Sequence, residues 1–132
     1  MRLFTIGYSK RSLDEFIGIL RENEVSVLAD VRLKTGSRFK PDFSKTQLAD
    51  ALAASGVAYA HLEALGNEGR FSGAGRIVLR DPEAGYAELA SLLEQRSPVA
   101  IMCLERNPSD CHRLVVADEM TRRIAGLTVT HL

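Results

Sequence analysis

VSVLADV, residues 25–31, holds five apolar positions in seven, three of them valine, with an aspartate next to last. Apolar and polar residues do not alternate along it, as they would in a strand with one wet face. A run of this kind marks a strand covered on both sides, the usual state of a strand in a parallel sheet. Asp30 and Arg32 then fall at the carboxyl end of that strand.

Working outward, Leu3-Phe4-Thr5-Ile6 is a second such run, ending at Gly7. Between the two, Ser12-Leu13-Asp14-Glu15 has the form of a capping box, in which each side chain satisfies a free backbone donor at a helix start. Leu13, Phe16, Ile17 and Leu20 supply the inward face. Ser44-Lys45-Thr46-Gln47 repeats the signature before Leu48, Ala51 and Leu52, with Gly56 as a stop and Val57–Ala60 as a third strand. Asp81-Pro82 starts another helix, with proline where its missing N–H costs nothing, and Tyr86, Leu89, Leu92 and Leu93 form its stripe. Val99–Leu104 reads as a fourth strand. Asn107-Pro108 opens a fourth helix that buries Leu114, Val115, Ala117 and Met120, and Leu127–Thr130 is a fifth strand.

Strands alternating with helices predict an α/β fold, a three-layer Rossmann-like sandwich with a mainly parallel five-stranded sheet in order 3-2-1-4-5. At 132 residues, 45% of them hydrophobic, one domain over residues 1–132 can build its core without metal or disulfide. The apolar stretch at residues 3–6 is too short for a signal peptide, and no run approaches the roughly 20 apolar residues of a membrane span. A cytoplasmic protein without membrane association is the expectation, with Cys103 and Cys111 both kept as thiols. Lys+Arg and Asp+Glu each number 17, so net charge confers no general affinity for nucleic acid.

Two connections, 32–43 and 61–80, are long for a compact domain, and such loops are commonly functional. Ile77-Val78-Leu79 reads as a small edge strand in the second. In open α/β sheets ligands bind beyond the carboxyl ends of the strands. That rule gathers Gly7-Tyr8-Ser9, Asp30 with Arg32, His61 and Cys103-Leu104-Glu105 on one rim. Lys34, Ser37, Arg38, Lys40, Arg70, Arg76 and Arg80 join them from the two loops, which points to an anionic, phosphorylated or nucleotide-like ligand.

CLERNPSDCHR, residues 103–113, concentrates the chemistry. Near a helix N-terminus, with Arg106 and Arg113 close by, Cys111 is a candidate thiolate nucleophile or redox thiol; the competing reading is a small residue packed between helix and sheet. Adjacent helical residues project about 100° apart, which sets His112 away from Cys111 and toward a separate contact. Glu105 and Asp30 are the acid–base carboxylates, and Arg32 and Arg113 the anion clamps; Arg113 could equally brace Glu105 or Asp30. Cys103, Cys111, His112 and His61 are zinc-binding residue types, but their spacing matches no standard zinc pattern, so no metal or other cofactor is named. A cysteine–five–arginine phosphate loop would need Arg where Ser109 stands, and neither a dinucleotide fingerprint nor a Walker loop is present.

Thr5-Ile6-Gly7-Tyr8-Ser9, Asp30-Val31-Arg32, Ser37-Arg38 with Phe43, Leu65-Gly66, and Cys103-Leu104-Glu105 with Cys111-His112-Arg113 together resemble the domain of unknown function 488 family over nearly the whole chain. The resemblance implies a small α/β protein whose polar motifs form one site, with no reaction attached. Tyr8 stands where that pattern usually has histidine, and Asn67 where a second glycine is usual. Two functions follow. One is an enzyme for an anionic substrate, with catalytic Cys111, Glu105, Asp30 and His112 and binding groups at Gly7, Tyr8, Ser9, Arg32, Ser37, Arg38 and Arg113. The other is a non-catalytic nucleic-acid or protein-binding module built on Arg38, Lys40, Arg70, Arg76 and Arg80. The oligomeric state has no signature in the sequence.

Overall fold

The computed structural model describes residues 1–69, 76–107 and 111–132. Five strands, β1 (Arg2–Gly7), β2 (Val27–Asp30), β3 (Ala58–His61), β4 (Val99–Cys103) and β5 (Thr128–His131), form one sheet in order β3-β2-β4-β1-β5. Every pairing is parallel. Among the described residues four α-helices, α1 (Leu13–Glu22), α2 (Lys45–Ala54), α3 (Pro82–Arg96) and α4 (Arg113–Arg123), cover it.

Successive strand residues face opposite ways, and the core divides accordingly. Val27, Ala29, Val99 and Ile101 pack with Leu89 and Leu93 of α3 and Val116, Ala117 and Met120 of α4. Phe4, Ile6, Leu28, Ala100 and Met102 pack with Phe16, Ile17 and Leu20 of α1 and Leu48 and Leu52 of α2. This is the expected three-layer α/β sandwich.

The expected order 3-2-1-4-5 is corrected to 3-2-4-1-5, with β4 inserted between β1 and β2. The burial pattern supplies the reason. All five β4 residues are buried on both faces, whereas β1 begins at an exposed Arg2 and borders the largely exposed β5. The most uniformly apolar strand takes the centre. One consequence reaches the rim. Adjacent strands β1 and β4 send their chains to helices on opposite faces, α1 on one and α4 on the other, which makes their carboxyl ends the switch point where α/β sheets open a crevice.

Local signals hold in part. Ser12 caps α1 by accepting from the Glu15 amide at 3.1 Å, and Asp81 caps α3 with Pro82 in its first turn. Ser44 precedes α2 without a side-chain cap, because its hydroxyl accepts from the Ser37 amide instead. Residues 77–79 form no strand, only an isolated antiparallel bridge from Leu79 to Asn67. α4 begins at Arg113 rather than at 107–108, and Val115 is exposed while Val116 is buried. Its inward stripe is Arg113, Val116, Ala117 and Met120, the 3.6-residue spacing opening on a charge. Among the described residues no helix is long and apolar enough to cross a membrane.

Candidate functional site

Gly7 ends β1 where only a glycine fits. A Cβ there would collide with the Glu105 carbonyl and the Arg106 backbone. This close approach lets the Tyr8 amide donate to Cys103 O at 3.2 Å and the Ser9 amide to Leu104 O at 2.8 Å. The amides expected to receive an anion near Gly7 and Ser9 therefore continue the β1–β4 ladder beyond its last strand residues.

Asp30 closes β2, fully buried on the α1/α2 face beside Tyr8. It accepts from Arg32 Nε at 2.9 Å, Arg32 Nη2 at 2.7 Å, the Arg32 amide at 3.1 Å and Tyr59 Oη at 2.6 Å. A carboxylate so enclosed acts as an anchor for the loop that follows. The pairing with Glu105 expected for acid–base work is absent among its contacts. Burial disfavours the Arg32 cation, yet the adjoining Asp30 carboxylate more than offsets this and leaves its pKa above the ordinary arginine range. Burial, reinforced by Asp30, pushes the Tyr59 phenol up as well. Arg32 Nη2 also reaches Phe43 O, and Nη1 lies 3.4 Å from Tyr8 Oη. Tyr8 in turn stacks on Phe43, ring centroids 4.7 Å apart.

The 32–43 loop is tied down by similar means. Ser37 Oγ accepts from the Lys40 amide, and Lys40 Nζ donates to Tyr8 O and Arg11 O. Arg38 and Phe39 project outward, Phe39 at 92% exposure. In the second loop Arg80 is paired with Glu63 and Glu68, so part of the basic rim is neutralised locally. His61 Nε2 meets Arg32 O at 2.8 Å. Arg70 lies outside the described residues, as does Pro108 of the expected helix start.

At the end of β4 Cys103 meets Cys111, which lies just before α4. The two sulfurs are bonded, with Cα atoms 7.0 Å apart, where two separate thiols were expected. Because α4 starts at Arg113, Cys111 and His112 precede the helix and escape the 100° rule, and His112 Nδ1 lies 3.7 Å from Cys111 Sγ. His112 Nε2 meets Val31 O at 2.8 Å. A carbonyl can only accept, so Nε2 carries a proton, and in the neutral form of the ring the basic Nδ1 faces the sulfur. Cys103 Sγ, Cys111 Sγ and one ring nitrogen of His112 all lie within 4.8 Å of one another, and Nδ1 is the nitrogen 3.7 Å from Cys111 Sγ.

Arg113 takes the bracing role, directed at backbone. It is fully buried; Nη1 donates to Glu105 O and to Cys103 Sγ, the latter at 3.5 Å, and Nη2 donates to Arg106 O at 2.9 Å. Its Nε has no hydrogen-bond partner among the described residues. Burial, assisted by the Arg11 charge and opposed by Glu105, lowers its pKa to about 10. Glu105 Oε2 stands 4.0 Å from Cys103 Sγ.

A cavity of about 240 Å³ opens at this rim, walled by Tyr8, Arg32, Lys34, Asn67, Cys103 and His112 among others. Cys103, which reads in sequence as the buried end of a strand, thus faces the cavity; the alternation of β4 side chains past Met102 was the available signal. The sequence profile described as domain of unknown function DUF488 matches residues 12–76 and 74–120. The chain belongs to that family. Searches of curated proteins and of solved structures give no significant match. Within the matched residues lie the anchor Asp30–Arg32, with Val31 between them meeting His112, and the run Cys111, His112 and the brace Arg113.

Proposed function

We propose that this DUF488 member is an enzyme acting on a small anionic substrate, phosphorylated or nucleotide-like, through the thiol chemistry of the Cys103–Cys111 pair. The observation that carries this reading is the juxtaposition of two sulfurs and an oriented imidazole beside a cavity that also exposes Arg32 and Lys34. A dithiol reductant supplies two electrons and two protons to open the disulfide. His112 Nδ1 then accepts the Cys111 thiol proton, and its Nε2–H stays on Val31 O throughout. The thiolate attacks an electrophilic centre of the substrate and displaces its leaving group, which takes the proton back from the His112 imidazolium while Lys34 and Arg32 Nη1 balance the anionic group; water then cleaves the adduct and restores the Cys111 thiol. When a disulfide oxidant takes two electrons from the pair, Cys103 and Cys111 each lose a proton and their bond is restored.

The binding-module alternative draws less support, because Lys40 and Arg80 are engaged within the chain and Arg38 and Arg76 remain as exposed cations.

The test is alkylation of the reduced, folded protein by iodoacetamide, read by mass spectrometry, with inorganic phosphate and adenosine monophosphate as protecting probes. Labelling of the native protein that slows in their presence, and that slows by about tenfold or more in His112→Ala, is expected. Labelling that appears only on unfolding would refute the reading.

A further inference from the structure

We infer that in the dithiol state Cys103, Cys111 and His112 bind a zinc ion through Sγ, Sγ and Nδ1, with a fourth position directed into the cavity. The inference rests on the proposed reducibility of the cysteine pair, and it goes beyond that reading by assigning the reduced site an occupant.

Four observations converge on it. The two sulfurs and one ring nitrogen of His112 lie within 4.8 Å of one another, close enough to share one ion at metal–ligand distances of about 2.0–2.3 Å. The Cα atoms of the cysteines stand 7.0 Å apart, just beyond the roughly 4.4–6.8 Å that a direct bridge usually spans, so the backbone leaves room for an ion between the sulfurs. His112 is oriented as metal-bound histidines are, its remote Nε2–H held by the Val31 carbonyl at 2.8 Å, which turns Nδ1 toward the ligand. Arg113 Nη1 approaches Cys103 Sγ at 3.5 Å, a donor suited to a coordinated thiolate.

Charge favours the same conclusion. Two bare thiolates in a site where Cys103, Cys111 and His112 are all buried would pay heavily in lost hydration. A divalent ion cancels both charges and gives a neutral centre. On binding, each thiol releases its proton to solvent as its Zn–S bond forms, and Nδ1 contributes its lone pair without proton loss. Oxidation reverses this: the sulfurs surrender two electrons to an oxidant such as a disulfide, join to each other, and release the ion. Zinc occupancy and the Cys103–Cys111 bond therefore exclude one another. Three protein ligands with an open position is the pattern of zinc sites that do chemistry, and Cys103 and His112 both line the cavity, where a water or a substrate oxygen completes the tetrahedron.

The experiment titrates the full chain with cobalt(II), a spectroscopic stand-in for zinc, before and after reduction under anaerobic conditions. One cobalt per reduced chain is expected, with thiolate-to-metal charge transfer and intense tetrahedral absorption, displaced by zinc and perturbed by azide or phosphate. The oxidised wild-type protein should take up none, a comparison that requires no substitution. His112→Ala should weaken cobalt by more than the roughly 10–100-fold typical of an outer-shell change. No cobalt spectrum in the reduced protein, equal uptake by the oxidised one, or a spectrum indifferent to azide and phosphate would each overturn the inference. Phosphate-protected alkylation without cobalt uptake refutes the metal site and leaves the proposed enzyme standing; cobalt uptake without such protection does the reverse.

Discussion

Replacing Asp30 with alanine separates an anchor from a reacting group. Asp30 is fully buried and Arg32 is 7% exposed, and removal of the carboxylate deletes four hydrogen bonds while leaving the guanidinium enclosed. Breaking one partner of a buried pair costs about 3–5 kcal/mol, mostly the penalty of the stranded charge. With a urea dependence of about 2 kcal/mol per molar for a chain of this size, the midpoint should fall by about 1.5–2.5 M. Arg32→Met on top of Asp30→Ala removes the stranded charge and should restore a large part of that loss, so the two substitutions must be strongly non-additive in a double-mutant cycle. Equilibrium urea unfolding followed by circular dichroism measures all four proteins. A shift below about 0.5 M in Asp30→Ala, or additive single effects, would refute the anchor and return Asp30 to the list of acid–base candidates.

Gly7→Ala forces a methyl group against the Glu105 carbonyl; a loss of about 1–3 kcal/mol is expected in urea unfolding, together with faster hydrogen exchange at the Ser9 amide. Arg113→Met deprives Glu105 O and Arg106 O of their donors and should cost about 1.5–3 kcal/mol in the same assay. Arg113→Lys should recover less than half of this, because one ammonium cannot replace a fork reaching two carbonyls. Tyr59 has a raised phenol pKa from burial and from Asp30, so below about pH 10 both folded and unfolded chains hold the proton and its contribution is intact. Above that the unfolded chain ionises first, and stability must fall with rising pH toward the folded value. Tyr59→Phe should make the alkaline decline shallower, and the slope that Tyr86, also raised by burial, contributes should persist.

The layers were legible because their signals are local. Ser12 and Glu15 fix the start of α1, and the mainly apolar, non-alternating runs at 25–31 and 99–104 mark strands covered on both faces. Strand order was not legible, since the preference of β4 for the centre over β1 depends on how β5 packs against β1 at the far end of the chain. α4 was misplaced because its inward stripe opens on Arg113, which reads as solvent-facing until the carbonyls it serves are in view. The Ser44 cap failed through competition from Ser37, a partner seven residues away. Tyr8, Arg32 and Cys103, which the switch-point rule gathers on one rim, line one cavity, and His112 joins them although the helical reading turned it elsewhere. What the sequence concealed was roles: Asp30 reads as an acid–base group but is encircled by donors, and His112 reads as turned from Cys111 only if both belong to a helix.

The hydrogen bond between His112 and Val31 works as a mechanical strut. One end is fixed to the residue between Asp30 and Arg32, the other to the ring that faces the sulfurs. A ligand that drew Arg32 toward the cavity would pull on Val31 and, through that single bond, rotate the imidazole. Occupancy of the cavity and the chemical temper of the cysteines would then rise and fall together.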